Sequence, residues 1–235
     1  MGTGVRDQGA QALRLLTDAL RHRGREEGRR AWQSLLLRPQ EEVMAAFRVR
    51  WAETNEDERL LLLSGLATWG APTACAFLAE VAVSPNPRLR REVARAIGRA
   101  QVRGTQGILV PLLDDTDLEV RAAAVWALGR SGAREAIPAL IAATADEDTD
   151  VVAAAASALV ALEARVPAPT VERLIRRGRR DVAVYGLNLV RFADPREVVT
   201  LRRAVEGRLR HPDSRVRSAA REALMWVSLV EKQHA

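Results

Sequence analysis

The chain has 235 residues, a formal charge of +6, 48% hydrophobic residues and only 4% aromatic ones. Ala and Leu dominate, which favours closely packed helices over strands. One cysteine, Cys75, excludes an internal disulfide, and its apolar surroundings read as a small core position.

The basic residues are almost all arginine, with Lys232 the only lysine. Met1 to Gln11 has no apolar signal-peptide core. Periodicity then predicts helices at Gln8–Arg21, Arg29–Leu37 and Glu41–Thr54. The uncharged run Leu60–Ala79 is long enough to span a bilayer. However, Ser64, Gly65, Thr68, Gly70, Pro72 and Thr73 interrupt it, and it reads better as helix, turn, helix. A soluble, reducing, cytoplasmic setting is expected.

Asn86-Pro87 starts the next unit, with a stripe from Leu89 to Ile97 and a second helix carrying Ile108, Leu109 and Leu112. The clearest unit runs from Asp115 to Thr144. Thr116-Asp117-Leu118-Glu119 has the form of a capping box, with Thr116 as the cap. Val120, Ala123, Ala124, Ala127 and Leu128 make the stripe, and Gly129 and Gly132 are expected to close the helix. Ala133–Thr144 reads as the second helix, turning Ile137, Leu140 and Ile141 inward. Asp148–Leu162 follows, then a short partner, Thr170–Arg177. Asp181–Phe192, Pro195–Leu209 and Arg215–Val227 complete the set.

These units repeat. Leu66, Ile97, Leu128, Leu159 and Val190 fall at intervals of 31, as do Leu89, Val120, Val151 and Val182. Such a period marks a stacked-repeat protein, whose hairpins bury their apolar faces only against neighbours. The expected fold is an all-α, right-handed solenoid of about six helix pairs. Residues 1–54 form an irregular helical cap continuous with it, and 55–235 form the repeat array.

Asp117 to Gly129, then Gly132 to Leu140, resembles HEAT repeats, in particular the short phycobilisome-lyase-like variety. Asp213 to Ala220 resembles the opening of another copy. The resemblance implies an armadillo-like superhelix, with first helices convex and second helices lining a concave face. It also implies a ladder joining Asp and Arg of adjacent first helices, which makes Asp117, Arg121, Asp148, Asp213 and Arg217 architectural. Some HEAT-repeat proteins are iron hydroxylases with paired His-Glu motifs, and this chain lacks them. The repeat subtype suggests a bilin-lyase-like enzyme as one alternative, by fold analogy alone.

The three histidines, His22, His211 and His234, have no metal-ligand spacing, so no metal or cofactor is expected. Asp114-Asp115 and Asp146-Glu147-Asp148 sit at helix starts, where negative charge favours the helix dipole. Trp69, Trp126 and Trp226 are expected to plug joints between repeats. The strongest surface signal is charge. Arg165 to Arg221 holds fifteen arginines against six acidic residues. Arg173, Arg176, Arg177, Arg179 and Arg180 form the densest run, and Arg203 and Arg210 could extend it from one further helix. Three readings stay open for this patch: a solvated helix face, a dock for an acidic protein, or a site for nucleic-acid phosphates. With no catalytic constellation found, the sequence favours a non-enzymatic protein-binding scaffold, with nucleic-acid binding or DNA repair as an alternative.

Overall fold

Most of the repeats begin where a short polar side chain meets the free N–H groups of a helix start. In the computed structural model, which describes residues 3–22, 24–69, 72–132 and 134–234, this device recurs along the chain. Asn86 accepts from the Arg88 N–H at 2.9 Å. Asp117 accepts from Glu119 and Val120 at 2.9 and 3.1 Å. Asp148 accepts from Asp150 and Val151 at 2.7 and 3.3 Å, and Asp213 from Arg215 and Val216 at 2.8 and 3.4 Å. The cap of the clearest unit is therefore Asp117 rather than Thr116. Its helix starts at Leu118, and Asp117 holds the extended backbone a cap requires, φ −89°, ψ 121°.

The helices are α1 (Thr3–Arg21), α2 (Glu26–Leu36), α3 (Gln40–Glu53), α4 (Glu56–Trp69), α5 (Pro72–Ala82), α6 (Pro87–Ala100), α7 (Gln106–Leu109), α8 (Leu118–Ser131), α9 (Ile137–Ala143), α10 (Thr149–Ala161), α11 (Ala168–Arg176), α12 (Arg180–Leu189), α13 (Pro195–Val198), α14 (Arg202–Glu206) and α15 (Ser214–His234). Short 3₁₀ turns occupy Pro111–Asp114, Arg134–Ala136, Val190–Phe192 and Val199–Leu201. The second helices are thus more broken than the periodicity predicts. Pro111 and Pro138 each remove a backbone donor early in their element. Pro195–Leu209, expected as one helix, is α13, a 3₁₀ turn and α14, ending at Glu206. The last helix, in contrast, runs past Val227 to His234.

The run Leu60–Ala79 divides between α4 and α5. The Gly70-Ala71 turn read between them, and Ala133 of the later turn, lie outside the described residues. Among the described residues, no helix is long and apolar enough to cross a membrane.

The chain forms two compact units, residues 1–108 and 109–235. In the first, α1 packs on α2 and α3, while α6 packs on α4 and α5. Its core holds an edge-to-face aromatic chain. Trp32 meets Phe47 at 6.5 Å, Phe47 meets Phe77 at 5.8 Å, and Phe77 meets Trp51 at 5.2 Å.

In the second unit the first helices follow one another, α8 on α10, α10 on α12 and α12 on α15. A second layer backs them, with Pro111–Asp114 on α8, α9 on α10, α11 on α12 and α14 on α15. This is an all-α solenoid of stacked hairpins. Leu128, Leu140, Leu159, Val171, Leu174 and Ile175 are fully buried between the layers, each contributing about 1.5–3 kcal/mol of transfer free energy. Gly132 takes the left-handed conformation that closes α8, φ +67°. Gly129 lies inside that helix instead, where an added Cβ would sit 2.8 Å from the Ala158 methyl of α10.

Candidate binding surface

Arginines set the turn geometry that frames this surface. Arg121 is buried, and its Nε and Nη2 donate to Asp146 at 2.9 and 3.1 Å. Its Nη1 donates to the carbonyl oxygen of Asp115 at 2.9 Å and approaches that of Thr116 at 3.4 Å. The hydrogen bond that Arg121 donates to the Asp146 carboxylate is the main cause that raises the Arg121 pKa further. Arg90 makes the same contacts to Ser84 and Pro85 at 2.7 and 3.2 Å. Arg217 makes them to His211 and Pro212 at 2.8 and 2.6 Å.

Two units carry Val152 and Ala183 where the others carry these arginines. There the equivalent carbonyl is served from the next repeat. Arg177 donates to the oxygen of Asp146 at 3.5 Å, and Arg208 to that of Arg177 at 3.4 Å. Donor and acceptor stand 31 residues apart in both pairs.

The carboxylates at helix starts are committed as well. Asp115 accepts from the Asp117 N–H at 2.9 Å and Asp146 from the Asp148 N–H at 2.8 Å. Ser84 and His211 Nδ1 occupy the same place before Asn86 and Asp213, at 3.2 and 3.1 Å. Asp117, Arg121, Asp148, Asp213 and Arg217 are thus architectural. The detail differs from the implied ladder: the arginines mainly hold their own turns, and Arg121 crosses to Asp146 rather than Asp148.

The predicted basic patch divides in two. Arg179 and Arg180 open α12 and lie at the starts of first helices. Arg179 bonds Asp150 at 2.5 Å and Asp181 at 2.9 Å, and these bonds raise its pKa further. Arg180 reaches Asp213 at 3.2 Å. Arg173, Arg176 and Arg177 lie together on or just after α11, around an open hollow of about 490 Å³ completed by Pro169 and Glu172. Arg173 donates to the buried Thr144 hydroxyl at 2.9 Å, and Arg176 pairs with Glu172 at 2.7 Å. Arg203 and Arg210 are exposed but outside that lining. They do not share a helix, since α14 ends at Glu206 and Arg210 follows in a turn.

Two surfaces escaped the sequence reading. The first is a hollow of about 300 Å³ in the second layer, lined by Val110, Leu113, Ala139, Ala142 and Ala143, with Asp114, Ala145 and Asp146 at its edge. Alanines carry no signal for a site, and only the spacing of the helices creates the space. The second is an outer face of α15, where Leu224, Met225 and Leu229 lie between Arg221, Ser228 and Lys232. Met225 is 74% exposed there.

The tryptophans also depart from expectation. Trp126 and Trp226 are 41% and 39% exposed. Between α8 and α10 the buried positions are instead small, Ala124, Ala127, Ala155 and Ala158. Trp126 instead carries Arg130 over its ring at 5.3 Å. Trp69 is half-buried. Tyr185 and Phe192 are half-buried, and Arg191 stacks on Phe192 at 4.6 Å. Cys75 is half-buried, and burial pushes its thiol pKa up. Among the described residues, no group of three or more His, Cys, Asp or Glu side chains could hold a metal ion.

Comparison with known proteins agrees with this architecture. Residues 105–188 match the family model for HEAT repeats. An engineered protein of the Northeast Structural Genomics Consortium superposes with a TM-score of 0.57 at 18% identity, over 93% of this chain and 97% of that one. A designed armadillo repeat protein in complex with the peptide (KR)4 gives 0.57 at 16% identity, over 92% and 98%. The CpcE–CpcF complex of phycocyanin lyase from Nostoc sp. PCC7120 gives 0.53 at 23% identity, over 68% of each chain. At these identities the likeness is one of fold. No curated protein sequence matches the chain. Residues 105–188 therefore carry HEAT repeats, and the stacked hairpins around them share that solenoid architecture.

Proposed function

We propose that the protein is a non-enzymatic binding scaffold that grips an acidic segment of a partner protein on the second layer of residues 109–235. One observation carries this reading: Arg173, Arg176 and Arg177 converge on an open hollow, and only Glu172 offsets them there. Arginine forks suit carboxylates, and a rigid layer of helices holds them in place without the partner's help. The designed armadillo protein that resembles this chain was solved with a basic peptide, (KR)4. The hollow here is itself basic, which calls for an acidic ligand.

The basic run supports phosphate binding less well, because Arg179 and Arg180 pair with carboxylates at the other layer. The half-buried Tyr185 and Phe192 also offer no exposed stacking platform.

The test is fluorescence anisotropy with a labelled glutamate-rich peptide and its lysine-rich counterpart. The acidic peptide binds, weakens as salt rises, and is lost with Arg173→Glu plus Arg176→Glu. Equal binding of both peptides, or no effect of the double variant, overturns the reading.

A further inference from the structure

The arginine hollow and the alanine hollow are two halves of one surface. The turn at 143–146 separates them and joins them. Ala143, Ala145 and Asp146 edge the alanine hollow. From the other side, Arg173 bonds the Thr144 hydroxyl at 2.9 Å, and Arg177 reaches the Asp146 carbonyl at 3.5 Å.

The chemistry changes in steps along this surface. Asp114 stands exposed at one edge. Next comes the floor of Val110, Leu113, Ala139, Ala142 and Ala143, with no charged side chain on it. The Asp146 carboxylate beyond is held by Arg121 at 2.9 Å, so it adds little field of its own. The guanidinium groups of Arg173 and Arg176 follow.

We propose that this surface binds an extended peptide segment in which an aliphatic side chain fills the alanine hollow and an acidic side chain meets Arg173 and Arg176. The proposal rests on the function proposed above and specifies its ligand. Small side chains on the floor leave about 300 Å³, ample room for a Leu, Ile or Val side chain. A basic or backbone N–H group of the segment faces Asp114. Neighbouring helices pack about 8–10 Å apart, and an extended chain advances about 3.3 Å per residue. Side chains alternate sides along an extended chain, so the aliphatic and acidic residues that both face the surface stand two or four positions apart, with the basic residue on the far side of the aliphatic one.

The probes are fluorescein-labelled twelve-residue peptides. The reference peptide carries Lys, then Leu, then Glu both two and four positions later. One control reverses this order, a second replaces Leu by Gly, and a third replaces the glutamates by lysines. Ala142 is exposed on α9, so Ala142→Gln fills the hollow without disturbing the core, and circular dichroism checks that the fold is kept.

The expected result is at least a fivefold loss of affinity on replacing Leu by Gly, and the same loss with Ala142→Gln. The Gly peptide should be indifferent to Ala142→Gln, and Arg176→Glu should weaken both by tenfold or more. If the acidic peptides bind but neither Leu nor Ala142→Gln matters, the two-part site is wrong and the acidic-partner reading survives. If no acidic peptide binds, or duplex DNA alone binds with a steep salt dependence, both are wrong.

Discussion

Arg121 provides the sharpest test of how this array is held together. Its side chain is only 10% exposed and that of Asp146 12%. Arg121→Met keeps much of the length and apolar stem but deletes every donor. It strands the Asp146 carboxylate and leaves the Asp115 carbonyl without its arginine. Breaking a buried pair from one side costs roughly 3–5 kcal/mol. Asp146 keeps the Asp148 N–H at 2.8 Å, which offsets part of that, so a cost of about 3 kcal/mol is expected. At roughly 2–4 °C per kcal/mol for a chain of this size, Tm falls by about 6–12 °C. Asp146→Asn keeps an oxygen for Asp148 and loses only the charge, for about 1–2 kcal/mol. The double variant should cost at least 1 kcal/mol less than the sum of the singles, because the two residues touch. Urea unfolding followed by circular dichroism measures all three. A cost below about 0.5 kcal/mol for Arg121→Met, or strict additivity in the cycle, would refute the reasoning.

Other outcomes follow from the same contacts. Asp117→Ala removes the acceptor for two N–H groups of α8 and should cost about 1 kcal/mol, whereas Thr116→Ala should cost little; chemical denaturation separates them. Gly129→Ala drives a methyl towards Ala158 and should lower stability by about 1 kcal/mol despite the better helix former, and adding Ala158→Gly should recover most of it. Acid should destabilise the second unit in a defined window. The Arg202 hydrogen bonds hold the Glu231 pKa below its ordinary 4.5, and the Arg196 backbone N–H leads the causes that hold Asp194 below its ordinary 3.8. Stability from such groups is complete above the unfolded-state values and lost as pH falls through the lowered folded ones. The urea midpoint should therefore stay flat through neutral pH and fall below about pH 4.5 for this reason, and Glu231→Gln should make that fall shallower.

The period, the first helices and their buried stripes were legible because one interval ties Leu66, Ile97, Leu128, Leu159 and Val190 to equivalent core positions. The second helices were less legible. Their breaks at Pro111 and after Glu206 depend on local backbone chemistry that an apolar count does not weigh. Thr116 looked like a cap because its spacing to Glu119 fits, but the Asp117 carboxylate, one residue later, meets the helix N–H groups directly. The arginine run was visible as charge, yet its division was not. Arg179 and Arg180 find Asp150, Asp181 and Asp213 only once the helices stack. A clue to Arg177 and Arg208 was available: each lies one period after the residue whose carbonyl it meets, opposite a gap left by Val152 or Ala183.

That sharing bears on how far these hairpins can be treated as building blocks. The turns at Ser84, Asp115 and His211 are self-sufficient, so an excised hairpin carrying one of them takes its own clasp along. The turns at Asp146 and Arg177 borrow theirs from downstream. Shuffling or deleting the α11 and α12 hairpins would leave an upstream turn gaping unless an arginine were grafted in at 152 or 183. Turn closure is therefore local at Ser84, Asp115 and His211, whereas repeat order matters from Arg121, which reaches forward to Asp146, through to Arg208.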